Sequence, residues 1–258
     1  MSTLTRLVSA GVMTGLTAAG YAYAAQWPTS QIFGQTLIAG SAIDECALTF
    51  DDGPNDPYTQ QLLDLLAHHQ VRATFFLMGD YVRRRPDIAR AIHQAGHLLG
   101  NHTVSHPSLL WTRPARVREE LVTCSGLIED ATGEAVKYFR PPFGARRPDV
   151  LHTVLELGMK PVMWNITAHD WDATDAQVLA ARVQSGMQRN HHRGSSSNVL
   201  LHDGGHRAFG TDRSVTLAAT QSLLAAWAGA YRLVTVDAWG YCSAEGGASR
   251  SVGLTQPS

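Results

Sequence analysis

The chain has 258 residues, 44% of them hydrophobic and 17% charged, with a formal net charge of −1. This composition excludes a disordered polypeptide. A balanced charge without a long basic run also removes the electrostatic case for a nucleic-acid partner.

Residues 7–25, LVSAGVMTGLTAAGYAYAA, follow a single positive charge at Arg6, and no further charge occurs before Asp44. They end in the small-x-small site Ala22-Tyr23-Ala24. Over 1–25 this is the pattern of a secretory signal peptide. The run is also nearly long enough to cross a bilayer, so an uncleaved membrane anchor is the alternative, with membrane association through the N-terminus. Either reading implies export: periplasmic, extracellular, or membrane-anchored and facing outward. A Gly/Ala-rich helix packed on the domain is the third option. Residues 26–43 are expected as a linker, with Trp27-Pro28 and Ile32-Phe33 docking on the domain. A folded domain is expected over 44–238, followed by a flexible Gly- and Ser-rich tail over 239–258.

From Glu45 onward the pattern alternates. Apolar strands are expected at 46–50, 73–78, 98–100, 138–140, 161–164, 199–202 and 233–236. Amphipathic stretches at 58–69, 86–95, 113–131, 148–157, 175–187 and 214–230 lie between them. Pro57, Pro86, Pro114 and Pro148 fall near helix starts, where proline is tolerated. Strand–helix alternation over about seven units predicts a single parallel α/β domain. A closed or distorted barrel is favoured over an open sheet because polar motifs follow several different strands, as at the C-terminal face of barrels. The polar stretch 189–198 reads as a loop, with His191 and His192 solvated. Cys46, Cys124 and Cys242 have no CxxC spacing, so they build no zinc site of their own, and Cys46 is read as a core residue. One disulfide is compatible with three cysteines, and the sequence does not choose the pair.

Five short motifs carry the chemistry. In Thr49-Phe50-Asp51-Asp52-Gly53-Pro54 an apolar strand ends in two adjacent carboxylates. Neighbouring residues there point in different directions, so one carboxylate can bind a metal while the other faces substrate or water. An ordinary turn is the bland alternative. In His102-Thr103-Val104-Ser105-His106 two histidines at i and i+4 are expected on one face of a helical turn, a metal-ligand spacing. With a carboxylate from elsewhere they form a set that leaves coordination positions open, as a catalytic metal requires. Arg140-Pro141-Pro142-Phe143-Gly144 holds an arginine near a strand end, where it can pair with a carboxylate. Asp170-Trp171 offers a buried charge partner with an apolar wall. Leu200-Leu201-His202-Asp203-Gly204 delivers a histidine to the end of another strand.

TFDDGP, HTVSH, RPPFG, the Asp-Trp pair and LLHDG, in this order over roughly residues 46–236, resemble the five signatures of the polysaccharide deacetylase family (NodB-homology, carbohydrate esterase family 4). The resemblance implies a distorted (β/α)7 barrel as the catalytic domain over 44–238. It also implies a hydrolase of carbon–nitrogen bonds other than peptide bonds. Such an enzyme removes N-acetyl groups from N-acetylglucosamine-containing polysaccharide, peptidoglycan or chitin-like oligomers, and releases acetate. The implied cofactor is a divalent metal, zinc foremost, with cobalt or nickel as alternatives, bound by Asp52, His102 and His106. Asp51 is the implied general base, oriented by Arg140. His202 is the implied general acid, supported by Asp170. Trp171 and Leu200 wall an acetyl pocket, and the Phe143 N–H stabilises the oxyanion. The sequence departs from the family pattern at Thr167, where many members carry a further Asp, and at Phe143, where many carry Tyr. The partner is then a glycan, and the protein is expected as a monomer. An O-acetyl (xylan-type) esterase or small-amide hydrolase with the same site, a non-haem iron oxygenase, and a non-catalytic glycan-binding protein are the competing readings.

Overall fold

The computed structural model describes residues 19–241. A parallel sheet organises them around β1 (Glu45–Gly53), every residue of which is buried. In chain order there follow α1 (Tyr58–His68), β2 (Thr74–Leu77), α2 (Gly79–Arg84), α3 (Pro86–Gln94), β3 (Leu98–Asn101), α4 (Pro114–Thr132) and β4 (Tyr138–Phe139). The chain continues through α5 (Pro148–Glu156), β5 (Lys160–Pro161), β6 (Ile166–Thr167), α6 (Ala176–His192), β7 (Ser197–His202), α7 (Ser214–Trp227) and β8 (Arg232–Leu233). Strand order is β5-β4-β3-β2-β1-β7-β6, with β8 pairing β1. Every pairing is parallel. β1 is buried on both faces, Cys46, Leu48 and Phe50 against the helices and Ala47 against Leu37, Phe76 and Trp239, which is why a continuous apolar run precedes the motif. On one edge β1 takes β7 over Cys46–Asp51; on the other, β8 pairs Glu45 and Cys46 before β2 begins at Thr49.

The sheet curls into a half-barrel. Strands β5 and β6 do not pair, and the gap is filled from outside the ladder. Leu37 bridges Val162 in parallel. The Asn198 amide donates to both the Ile38 and Met163 carbonyls at 2.8 Å. The helices pack an apolar stripe onto the sheet: Leu62 and Leu66 of α1, Ile88 and Ile92 of α3, Leu121 and Ile128 of α4, Val183 of α6 and Leu223 of α7 are all buried with Phe50, Phe75 and Leu77. Truncating one of these, Leu66→Ala for instance, should cost about 2–5 kcal/mol. Pro86, Pro114 and Pro148 each open their helices. Asp175 caps α6 by accepting from Gln177 N and Val178 N at 2.8 and 2.9 Å.

The structure departs from the sequence reading in four places. An eighth strand, β6, lies inside the Trp164–Asp170 region, because Asn165 N and Asn198 O pair there and align Ile166 with Val199. Helix α6 runs on to His192, so the expected loop shrinks to 193–196; buried Asn190 anchors the turn by donating to Ser197 Oγ at 3.3 Å. Residues 26–43 dock on the barrel through buried Ser30, Thr36 and Leu37, whereas Trp27 and Ile32, expected to dock, are exposed. The fold also runs past residue 238. Trp239 is buried and its indole N–H donates to Glu45 Oε2 at 2.7 Å. Cys46 and Cys124 are buried free thiols, and burial pushes both up, Cys124 to about 12. Residues 19–26 are helical. Among the described residues no helix is long and apolar enough to cross a membrane. The rest of the expected signal or anchor segment, Cys242 and the tail beyond it lie outside the described residues.

Candidate functional site

All five motifs meet at one rim of the sheet. Asp51 and Asp52 end β1, His102 follows β3, Arg140 follows β4, Asp170 opens a 3₁₀ turn after β6, and His202 ends β7. Asp51 and His202 are register partners on adjacent strands. Asp52 sits in the left-handed region at φ 68, which turns its carboxylate away from that of Asp51. Gly204 makes this geometry accessible, because a Cβ there would stand 1.8 Å from the Asp52 carbonyl oxygen.

The HTVSH segment is a loop, not the expected helical turn. Its backbone N–H groups are bound by side chains: Thr103 N by Asn101 Oδ1, Val104 N and Ser105 N by Glu120 Oε2, and His106 N by Thr103 Oγ1. These bonds hold Thr103 and His106 at φ 67 and 56 and bring the two imidazoles to 5.0 Å between centroids.

His102 Nδ1 lies 2.8 Å from the Arg140 carbonyl oxygen, which can only accept, so that nitrogen carries the proton. The other ring nitrogen, Nε2, faces Asp52 Oδ1 at 3.4 Å. His106 Nε2 stands 3.3 Å from the same oxygen. Burial above all drives His106 down to about 3, so it is neutral. Asp52 is held well below the usual carboxylate range: burial opposes this, but the surrounding histidines outweigh it. Asp52 Oδ1 is buried without any hydrogen-bond donor. An ionised oxygen facing two imidazole nitrogens at 3.4 and 3.3 Å fits a cation between them. One ligand atom from each of Asp52, His102 and His106 lies within 4.8 Å of the others. Two imidazoles and one carboxylate suit zinc and neighbouring divalent metals and leave coordination positions open.

Asp51 Oδ1 accepts from Arg140 Nη1 at 2.8 Å, leaving Oδ2 toward the metal ligands, 3.8 Å from His102 Nε2. Arg140 is fully buried and also donates to Thr49 Oγ1 and the Met163 carbonyl. Its guanidinium lies over the Phe76 ring at 4.2 Å. Burial lowers its pKa, and Asp51 opposes that shift. Across the rim His202 Nδ1 bonds Asp170 Oδ1 at 2.8 Å. Asp170 Oδ2 accepts from His202 N and Thr216 Oγ1. Burial alone would lower His202, but the Asp170 charge and hydrogen bond outweigh it and raise it to about 9.

Asp51, Asp52, His102, His106 and His202 line a cavity of about 550 Å³ with Phe143, Trp164, Trp171 and Leu200, while Arg140 and Asp170 are buried behind it. Phe143 and Trp171 are half-exposed at its mouth. The structure therefore brings together all ten candidate residues: Asp51, Asp52, His102, His106, Arg140, Phe143, Asp170, Trp171, Leu200 and His202. Thr167 takes no part in the His202 bond and instead accepts from Trp164 Nε1 at 2.6 Å.

Several contributors were not singled out from sequence. Thr49 was legible, being two residues before Asp51 and so on the same strand face. His206 left no signal: a loop places its ring on His106, with centroids 4.5 Å apart and 17° between planes, and its N–H on Asp52 Oδ2 at 3.1 Å. Asp203, next to His202, is buried, accepts from Thr59 Oγ1, and is pushed up by burial to about 7; it braces the loop rather than facing the cavity.

The sequence profile of the polysaccharide deacetylase family matches residues 41–162. A chitooligosaccharide deacetylase of Bradyrhizobium sp. (strain ANU 289) is 37% identical over 158 residues, which are 61% of this chain and 69% of the relative. The solved Bc1960 peptidoglycan N-acetylglucosamine deacetylase overlays with a TM-score of 0.69 at 29% identity, over 78% of this chain and 90% of that one. A Bacillus anthracis pseudoenzyme of carbohydrate esterase family 4 overlays with a TM-score of 0.67 at 26% identity, over 76% of this chain and 64% of that one.

Proposed function

The chain belongs to the polysaccharide deacetylase family, and from that premise we propose that it hydrolyses the acetamido groups of N-acetylglucosamine in an extracytoplasmic glycan, peptidoglycan or a chitin-like oligomer. The observation that carries this reading is buried Asp52 Oδ1, without a donor, facing His102 Nε2 and His106 Nε2 at 3.4 and 3.3 Å. The family fold alone does not carry activity, as the pseudoenzyme neighbour illustrates. What supports activity here is a complete set of base, acid and metal-ligand side chains.

Asp52, His102 and His106 would hold the metal, most simply zinc. Such an ion supplies Lewis acidity, polarising an acyl carbonyl and acidifying water. Asp51 is the base: Arg140 occupies Oδ1, so Oδ2 takes the proton from the attacking water. His202 is the acid. Its Nδ1–H is committed to Asp170, so Nε2–H protonates the departing amine. The raised pKa keeps that proton in place near neutral pH. Leu200 and Trp171 enclose the acetyl methyl, and the Phe143 N–H donates to the developing oxyanion. Amide hydrolysis needs the amine protonated as it leaves, whereas ester hydrolysis does not, so the His202–Asp170 pair favours an N-acetyl substrate over an O-acetyl one. Acetate release from N-acetylglucosamine oligomers should exceed that from O-acetylated xylan, and faster release from xylan would replace this reading with an esterase.

A further inference from the structure

Arg146 lies three residues beyond Phe143, is 1% exposed, and among the described residues has no carboxylate partner. Its guanidinium is bound only by carbonyl oxygens: Gly144 O at 3.0 Å, Trp27 O at 2.8 Å and Ser30 O at 2.7 Å. Its own N–H donates to Ala25 O at 3.0 Å. Four hydrogen bonds therefore join one residue of the active-site loop to two places: the turn at 143–144 and the segment 25–30. Ala24, Ala25 and Ser30 are buried in that docking. The next residue, Arg147, holds the other side of the loop through the Leu110 and Thr112 carbonyls at 2.8 and 2.9 Å.

The turn needs such bracing. Phe143 and Gly144 are both left-handed, at φ 58 and 66. A non-glycine residue persists in that region only when its surroundings over-determine it. Phe143 is also half-exposed at the cavity mouth, so burial of its own ring does little to fix it. Its ring meets the edges of His106 at 4.5 Å and His206 at 5.3 Å, so any drift of the turn reaches a metal ligand and the cavity wall.

We propose that Arg146 is a positioning residue that couples residues 25–30 to the Phe143 turn, making this N-terminal segment a brace of the active-site loop. The catalytic consequence rests on the deacetylase reading above; the mechanical coupling does not. A buried guanidinium bound to three carbonyls is rigid and holds them in one plane. A lysine can reach fewer of them, and a methionine leaves all three without a donor.

The test compares wild type, Arg146→Met, Arg146→Lys and Ala25→Leu in the full chain. Ala25→Leu overfills the dock from the far side without touching the turn. Hydrogen–deuterium exchange is followed over 25–30 and 140–147, with zinc stoichiometry, kcat and KM on an N-acetylglucosamine oligomer. We expect exchange to rise in both segments together. We expect kcat to fall about ten- to a hundredfold, as for misplaced catalytic geometry, with zinc content retained. Arg146→Lys should lie between wild type and Arg146→Met. Faster exchange in 25–30 with 140–147 and kcat at wild-type values would overturn the proposal. Should Arg146→Met not fold, Ala25→Leu and Arg146→Lys decide. If the wild-type chain releases no acetate, the deacetylase reading falls, and the paired exchange response alone decides the coupling.

Discussion

Arg140 Nη1 and Asp51 Oδ1 lie 2.8 Å apart, and neither side chain is more than 5% exposed. The pair fixes which Asp51 oxygen is free for chemistry, and it ties the proposed base to the end of β4, just before the RPPFG arginine. Removing one partner of a buried pair strands the other charge. Arg140→Met should therefore destabilise the fold by about 3–5 kcal/mol in denaturant unfolding. Asp51→Asn keeps an oxygen acceptor for Arg140 but not its countercharge, so it should lose less stability than Arg140→Met while losing about 10²–10⁴ in kcat. Near wild-type turnover in Asp51→Asn would remove Asp51 from the base role.

The His202–Asp170 bond gives a prediction in pH. His202 is raised to about 9, chiefly by Asp170 working against burial, and it must be protonated to act as the acid. Activity should therefore fall on the alkaline side as pH rises through the pKa of His202. Asp170→Asn removes the opposing charge, leaves burial in force, and should move that alkaline limb toward lower pH by about a unit or more. A pH–rate profile with an unmoved limb would assign it to another group.

Much of this site was legible in the sequence because its chemistry sits at strand ends, where apolar runs stop and polar residues begin. Asp51, Asp52 and His202 could be placed on one rim before any coordinates. The local geometry of HTVSH was not legible, since Glu120, fourteen residues beyond His106, binds the N–H groups that a helix would have used. His206 and Arg146 were hidden for the same reason. Their roles depend on contacts to residues more than a hundred positions away, and neither belongs to a periodic pattern. Strand β6 was not expected because Ile166 and Thr167 lie between Asn165 and His169 with no apolar run to mark them.

His206 stacks on His106, while its backbone N–H holds Asp52 Oδ2. His206→Ala removes the ring and should weaken zinc binding about tenfold or more in chelator competition, the range for residues that orient metal ligands. His206→Phe restores a stacking face and should recover most of that loss. Equal affinities across all three proteins would leave the ring with no part in ordering the ligands.

His97, away from the site, sets an acid limit on stability. It is buried, and its Nδ1 accepts the Ala73 N–H at 3.1 Å. Burial, then the charge of Arg72, depress it to about 4. The folded state thus favours the neutral ring. Its contribution is fully present above pH 6.5 and is lost as pH falls toward 4, to the extent of about 3 kcal/mol. Denaturant midpoints at pH 7 and pH 4.5 should fall more for wild type than for His97→Gln, which keeps an acceptor for Ala73 and does not titrate. An equal fall in both proteins would assign the acid sensitivity elsewhere.

The most direct test of the central claim is acetate release from N-acetylglucosamine oligomers and from peptidoglycan by chelated enzyme, before and after zinc, cobalt or nickel is returned, with Asp52→Ala alongside. The account predicts no release from the chelated protein, release restored by metal in the wild type, and neither metal uptake nor activity in Asp52→Ala. Undiminished release from metal-free protein, or full metal occupancy with activity in Asp52→Ala, would contradict it.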